Sequence, residues 1–122
     1  MNNDFTVAVN VQTPLTLTNV AALASVTRTQ GATVAWTGGF PSGDVQVEGW
    51  VASRVGYVKF YCHAPSGAGQ LVIPSSILLA LPSGTGGFEV TNTTAAQKVS
   101  GTGLDVGLAA GAVIFYLDST FK

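Results

Sequence analysis

Cysteine and charged side chains are both scarce in this sequence. The single cysteine, Cys62, excludes an internal disulfide and any cysteine-based zinc cluster, since each needs a second thiol. Five Lys and Arg against six Asp and Glu give no electropositive surface, so we expect neither a nucleic-acid partner nor attachment to an anionic membrane. No apolar run reaches the roughly 18 residues that a membrane-spanning helix needs, so membrane insertion is not expected either.

Hydrophobic residues make up 47% of the 122 residues, which is too high a fraction for a disordered chain. Alternation with period two dominates, and Gly- and Pro-rich segments separate the alternating runs. The pattern predicts an all-β fold, an antiparallel immunoglobulin-like β-sandwich of about eight or nine strands, with a closed barrel as the alternative. The simplest division is one domain over residues 1–122, with an N-terminal strand or linker at 1–14 and the sandwich body at 15–122.

Several segments carry more specific local predictions. Ala32–Trp36 and Val45–Trp50, separated by a Gly-, Pro- and Asp-containing turn, are predicted to form a hairpin. Ser75–Leu81 is predicted to contain a short helical turn that ends before proline. Gly84–Gly87 is predicted to be a loop, and Asn92–Thr94, which matches a glycosylation acceptor, a turn.

Five groups of residues between Leu15 and Phe121 also support a resemblance. They are Val34–Gly39, Val45–Gly49, Phe60–Pro65, Val72–Ser75 with Leu79–Pro82, and Gly103–Gly107. In order and spacing they resemble an uncharacterised immunoglobulin-like C-terminal domain of long secreted or surface proteins of environmental bacteria. The resemblance implies a fold and an extracellular or cell-surface location but no activity. Because Cys62 has no partner cysteine, the disulfide-centred core of antibody domains is excluded.

Groups that could carry catalysis do not converge in the sequence. Cys62 and His63 are adjacent, but neighbours in a strand point to opposite faces, so we expect a buried thiol beside an exposed imidazole. The carboxylates are scattered singly, and no pair of them can be nominated from spacing. We therefore expect no catalytic residue, no metal site and no cofactor, and the protein is predicted not to be an enzyme.

Aromatic residues are the most distinctive candidates for ligand binding. Many carbohydrate-binding modules bind sugars with exposed aromatic rings on a sheet. The apolar face of a pyranose stacks on the ring, while nearby polar groups form hydrogen bonds with the sugar hydroxyls. The candidates are Trp50, Tyr57, Tyr61 and Tyr116, and sugar binding predicts that at least two of these rings are exposed and coplanar. The alternative is that such rings fill the core or lie half-buried at its edges.

A second candidate surface is the N-terminal alternation of Phe5, Val7, Val9 and Val11. A strand here could add to the edge of another copy or join a preceding domain, and there are few charged side chains to protect strand edges from such pairing. The alternative is an ordinary first strand within its own sheet. The sequence therefore favours a non-catalytic extracellular or cell-surface module for adhesion, assembly or display. Its partner would be a protein, a second copy or a glycan surface, and a carbohydrate-binding module is the alternative function.

Overall fold

A computed structural model describes residues 6–11 and 13–122. The strands are β1 (Thr16–Leu17), β2 (Ser25–Val26), β3 (Ala32–Thr37), β4 (Asp44–Ser53), β5 (Gly56–Pro65), β6 (Gln70–Ile73), β7 (Gly84–Thr93), β8 (Gln97–Lys98), β9 (Leu108–Ala109) and β10 (Ala112–Phe121). The helices are α1 (Val20–Leu23) and α2 (Ser75–Leu78), with 3-10 turns at Arg28–Gln30 and Ser66–Ala68. Among these residues, no helix has the length and apolar character needed to cross a membrane.

The strands form three sheets. A five-stranded sheet has the order β2-β10-β7-β4-β5, a three-stranded sheet has the order β1-β3-β6, and β8 pairs with β9. Every pair is antiparallel except β2 with β10, which is parallel. The all-β prediction is confirmed, with a mixed rather than purely antiparallel large sheet.

The two larger sheets share one hydrophobic core, which gives the molecule a sandwich-like arrangement. Alternate residues of β4, Val45, Val47 and Val51, are fully buried, and they face buried side chains of the smaller sheet such as Val34 and Ile73. The aromatic rings of Phe60, Phe88 and Phe121 complete the layer, with centroids 6.4 Å apart for the first pair and 5.3 Å for the second. Cys62 is a free cysteine packed against this core.

Two of the local predictions that involve glycine-rich segments are wrong. β3 and β4 do not form a hairpin, because the chain between them crosses from the three-stranded to the five-stranded sheet. Gly84–Gly87 is not a loop but the first part of β7. A Cβ atom on Gly86 would collide with the Trp50 carbonyl, so glycine is required by close strand packing. The helical turn predicted within Ser75–Leu81 is confirmed by α2.

The predicted N-terminal strand is also absent from the described residues. Residues 6–11 have no regular secondary structure, and Phe5 lies outside the described part of the chain. A β-strand needs a partner strand, and alternation alone does not supply one. Val9 and Val11 instead lie beside Gly111, where a Cβ atom would contact their methyl groups.

Asn92 links the segments that connect the two larger sheets. Its amide nitrogen donates to the Asp44 carbonyl at 3.1 Å and to Ser66 Oγ at 2.7 Å, and its Oδ1 accepts from the Phe40 amide at 3.1 Å. Asn92 is fully buried within β7, so the predicted turn is wrong here, and its side chain is inaccessible to a glycosyl transferase in the folded protein. The sequence motif therefore marks a buried polar anchor.

Replacing Asn92 should destabilise the whole fold. Asn92→Ala leaves the Phe40 amide and Ser66 hydroxyl without a buried partner, and we expect a loss of about 3 kcal/mol in the free energy of unfolding. Urea denaturation followed by tryptophan fluorescence measures it. Thr91→Ala is the matched control, because the Thr91 hydroxyl bonds only weakly to Glu89, at 3.5 Å. Equal midpoints for the two variants would contradict the anchoring role of Asn92.

Candidate functional site

All four aromatic rings predicted to bind ligand lie on the outer face of the five-stranded sheet. Trp50 is on β4, Tyr57 and Tyr61 are on β5, and Tyr116 is on β10. Each has the parity opposite to the buried residues of its strand, so alternation directs all four side chains away from the core. Trp50 is half-buried, whereas the three tyrosines are 55–72% exposed.

Trp50 and Tyr57 form an aromatic corner rather than a flat platform. Their ring centroids are 5.5 Å apart and their planes meet at 85°, so this pair is not the coplanar pair that the sugar-binding hypothesis expected. The Trp50 indole extends over Gly87 of the neighbouring strand, where a Cβ atom would lie 3.1 Å from Cζ2 of the indole. The missing side chain at Gly87 therefore makes room for the Leu117 carbonyl oxygen, 2.5 Å from that Cβ position, and for the indole on the sheet surface.

The aromatic corner forms part of a shallow depression of about 240 Å³. Its lining consists of three rings and three charged side chains: Trp50, Tyr57, Tyr116, Glu48, Lys59 and Glu89. Tyr61 lies on the same face but does not line it. Since pockets for drug-sized ligands begin at about 300 Å³, the depression suits one ring-sized group on a longer ligand.

The charged residues of the depression come from three neighbouring strands. Glu48 of β4 is the direct cross-strand partner of Glu89 of β7 and of Tyr61 of β5. Directly opposed residues on one face have Cβ atoms about 4.5–5.5 Å apart, so the two glutamate side chains leave the sheet as neighbours. This pair is not predictable from the sequence, because 41 positions separate the glutamates and only the β4–β7 register brings them together.

Lys59 neutralises one of these carboxylates. Its Nζ lies 2.6 Å from Glu48 Oε1 and 6.0 Å from the centroid of the Tyr57 ring. The hydrogen bond to Glu48 raises the pKa of Lys59 above its ordinary value, so the side chain stays an ammonium. The depression thus has two carboxylates and one cation among its lining residues.

His63 and Cys62 point to opposite sides of the sheet, as strand alternation predicts. His63 Nδ1 lies 2.8 Å from Asp44 Oδ2, and both side chains are more than half exposed. Cys62 packs against the core, where burial raises the pKa of its thiol. The Cys62 thiol and the His63 imidazole are therefore not brought together as a nucleophile and base.

No group of three or more His, Cys, Asp or Glu residues suited to a metal ion occurs within residues 6–11 and 13–122. Two other depressions, of about 280 and 310 Å³, are lined by residues of 19–33 and 98–107. The first has no titratable side chain, and neither has an aromatic ring. The aromatic depression is therefore the richest of the three in groups that recognise ligands.

Comparison with known proteins gives no relative for this chain. No family model, no curated protein sequence and no solved structure matches it. The chemistry of the outer face is consequently the basis for a functional proposal.

The Cys62 thiol should react slowly in the folded protein. Because the reactive species is the thiolate and burial raises the pKa of this thiol, we expect modification by an aromatic disulfide reagent at pH 8 to be at least about tenfold slower than in guanidinium. Absorbance of the released thiolate measures the rate. Equal rates in folded and unfolded protein would show that Cys62 is an accessible, activated thiol.

Proposed function

We propose that this protein is a non-catalytic, extracellular or cell-surface module with an immunoglobulin-like sandwich, and that it adheres to glycans through the outer face of its five-stranded sheet. The observation that carries the proposal is the aromatic corner of Trp50 and Tyr57 beside the carboxyl groups of Glu48 and Glu89. The shared core of the two sheets and the resemblance of the sequence support the assignment of fold and location.

A single sugar ring satisfies the geometry of this site. Its apolar face stacks on the Trp50 indole, Tyr57 forms a wall at 85° to that plane, and Tyr116 borders the depression from β10. Sugar hydroxyls donate hydrogen bonds to Glu48 and Glu89. An open sheet face lets the rest of a polysaccharide continue in both directions across the exposed surface.

Trp50→Ala should remove most of the glycan binding. The variant loses the stacking surface, and we expect binding to fall by about tenfold or more on a glycan array and in calorimetry with the array hit. Tyr61→Ala is the matched control, since Tyr61 is an exposed ring on the same face outside the depression. We expect the control to bind within about twofold of the parent protein.

The same experiment separates binding from catalysis and from a different binding surface. The bound oligosaccharide should be recovered at its original length, because the proposed function involves no bond cleavage. An array with no hit, or equal losses for Trp50→Ala and Tyr61→Ala, would refute glycan binding at the depression.

Self-assembly is a second candidate function, and the exposed apolar residues at the start of β9 favour it. Val106 is 81% exposed and Leu108 is 65% exposed, so these side chains leave a considerable apolar surface in contact with water. The N-terminal segment lies nearby, since Val9 and Val11 border Gly111, and Val7 and Val11 are themselves exposed. A second copy could cover this combined surface.

Light scattering tests self-assembly directly. If the surface mediates assembly, Val106→Ser combined with Leu108→Ser, or deletion of residues 1–11, should lower the mass measured across a concentration series, because burial of apolar area stabilises association. Thr102→Ser, an exposed change in the same loop region, is the control. A monomeric mass for the parent protein at every concentration would exclude this function.

A further inference from the structure

Acidic residues are concentrated on the face that holds the aromatic depression. Asp44, Glu48, Glu89 and Asp118 all point outward from the five-stranded sheet, and they are four of the six acidic residues in the sequence. Lys59 is the one lysine or arginine among the outward residues of β4, β5, β7 and β10. This face is therefore negative on a protein whose formal charge is only -1.

Lys59 shows how an ammonium group fits this surface. Its Nζ lies 2.6 Å from the Glu48 carboxylate and 6.0 Å from the centroid of the Tyr57 ring. A carboxylate combined with an aromatic face is the usual environment for an organic cation. Glu89 provides a second carboxylate in the same depression, where its Oε1 accepts only a long hydrogen bond of 3.5 Å from Thr91 in addition to its electrostatic interaction with Lys59.

We infer that the glycan recognised here carries free amino groups, so that a protonated 2-amino sugar binds with its ring on Trp50 and its ammonium group on Glu89. The inference rests on the proposed function, and it specifies the class of glycan. A neutral sugar would leave the excess carboxylate without a counter-charge. A uronic acid would place a third carboxylate beside Glu48 and Glu89, which is unfavourable at this distance.

The exposure of the two glutamates determines how strongly the site should prefer a free amino sugar to its N-acetylated form. Glu89 is half-buried and the neighbouring Glu48 is 13% exposed. An ion pair between Glu89 and a sugar ammonium group is therefore screened less than a pair on the open surface. We expect a β-linked glucosamine tetrasaccharide to bind about tenfold more tightly than its N-acetylated form at low salt, a difference equal to about 1.4 kcal/mol. The preference should shrink as salt is added and as pH rises above the pKa of the sugar amine.

Glu89→Gln is the decisive variant, because it removes the charge and keeps the shape of the side chain. Calorimetry with the glucosamine tetrasaccharide, its N-acetylated form and a uronic acid tetrasaccharide should show that the tenfold preference disappears. Asp118→Asn is the matched control. It makes the same change in net charge on the same face but outside the depression, and it should keep the preference.

The outcomes separate this inference from the proposed function. A preference for the free amine that Glu89→Gln removes and Asp118→Asn retains supports both. Equal binding of the amine and N-acetyl forms, or tighter binding of the uronic acid, overturns the amine inference while glycan binding stands. No binding of any of the three, together with an empty glycan array, overturns the proposed function and the inference with it.

Discussion

The fold depends on the hydrogen bonds of the fully buried Asn92 side chain. The chain passes between the two larger sheets several times, and two of these crossings, after β3 and after β5, each contribute a polar group to the Asn92 side chain. The Trp36 indole donates to the Ser66 carbonyl at 2.8 Å and adds a bond from the smaller sheet to the second connection. Because a buried amide without partners costs considerable free energy, the two crossings are fixed together. That restraint holds the five-stranded sheet in place above the core, with its outer face turned away from the smaller sheet.

Glycine determines what the sheet presents on each side. Gly49 on the inner face gives room to the Phe60 ring of the adjacent strand, and Gly87 on the outer face gives room to the Trp50 indole. A glycine beneath an aromatic ring of the adjacent strand thus occurs both in the core and at the aromatic corner. At both positions the aromatic ring covers backbone that would otherwise be poorly packed, which offsets the weak strand preference of glycine.

The sequence predicted the all-β class, because strand alternation is a local property, but it left open whether Trp50, Tyr57, Tyr61 and Tyr116 face solvent or the core. It did not predict that Glu48 faces Glu89, since register is set by tertiary pairing between distant strands. The hairpin between β3 and β4 was predicted wrongly because turn residues signal a change of direction but not which sheet the next strand joins. The glycines of β7 resemble a loop in the sequence because the groups that require them, the Trp50 carbonyl at Gly86 and the Leu117 carbonyl and Trp50 indole at Gly87, lie on other strands. The N-terminal alternation predicted a strand whose partner does not exist among the described residues.

The unequal distribution of acidic residues also bears on how the molecule meets a charged partner. The outer face of the five-stranded sheet holds most of the carboxylates, while Arg28, Arg54, Lys98 and Lys122 lie outside the outward-facing rows of that sheet. Because the protein has so few charged residues, little other charge offsets this separation of carboxylates from Lys and Arg side chains. A positively charged polymer would attract this negative face, and the attraction would turn the molecule before contact so that the aromatic corner faces the polymer. A larger fraction of encounters would then begin in that orientation.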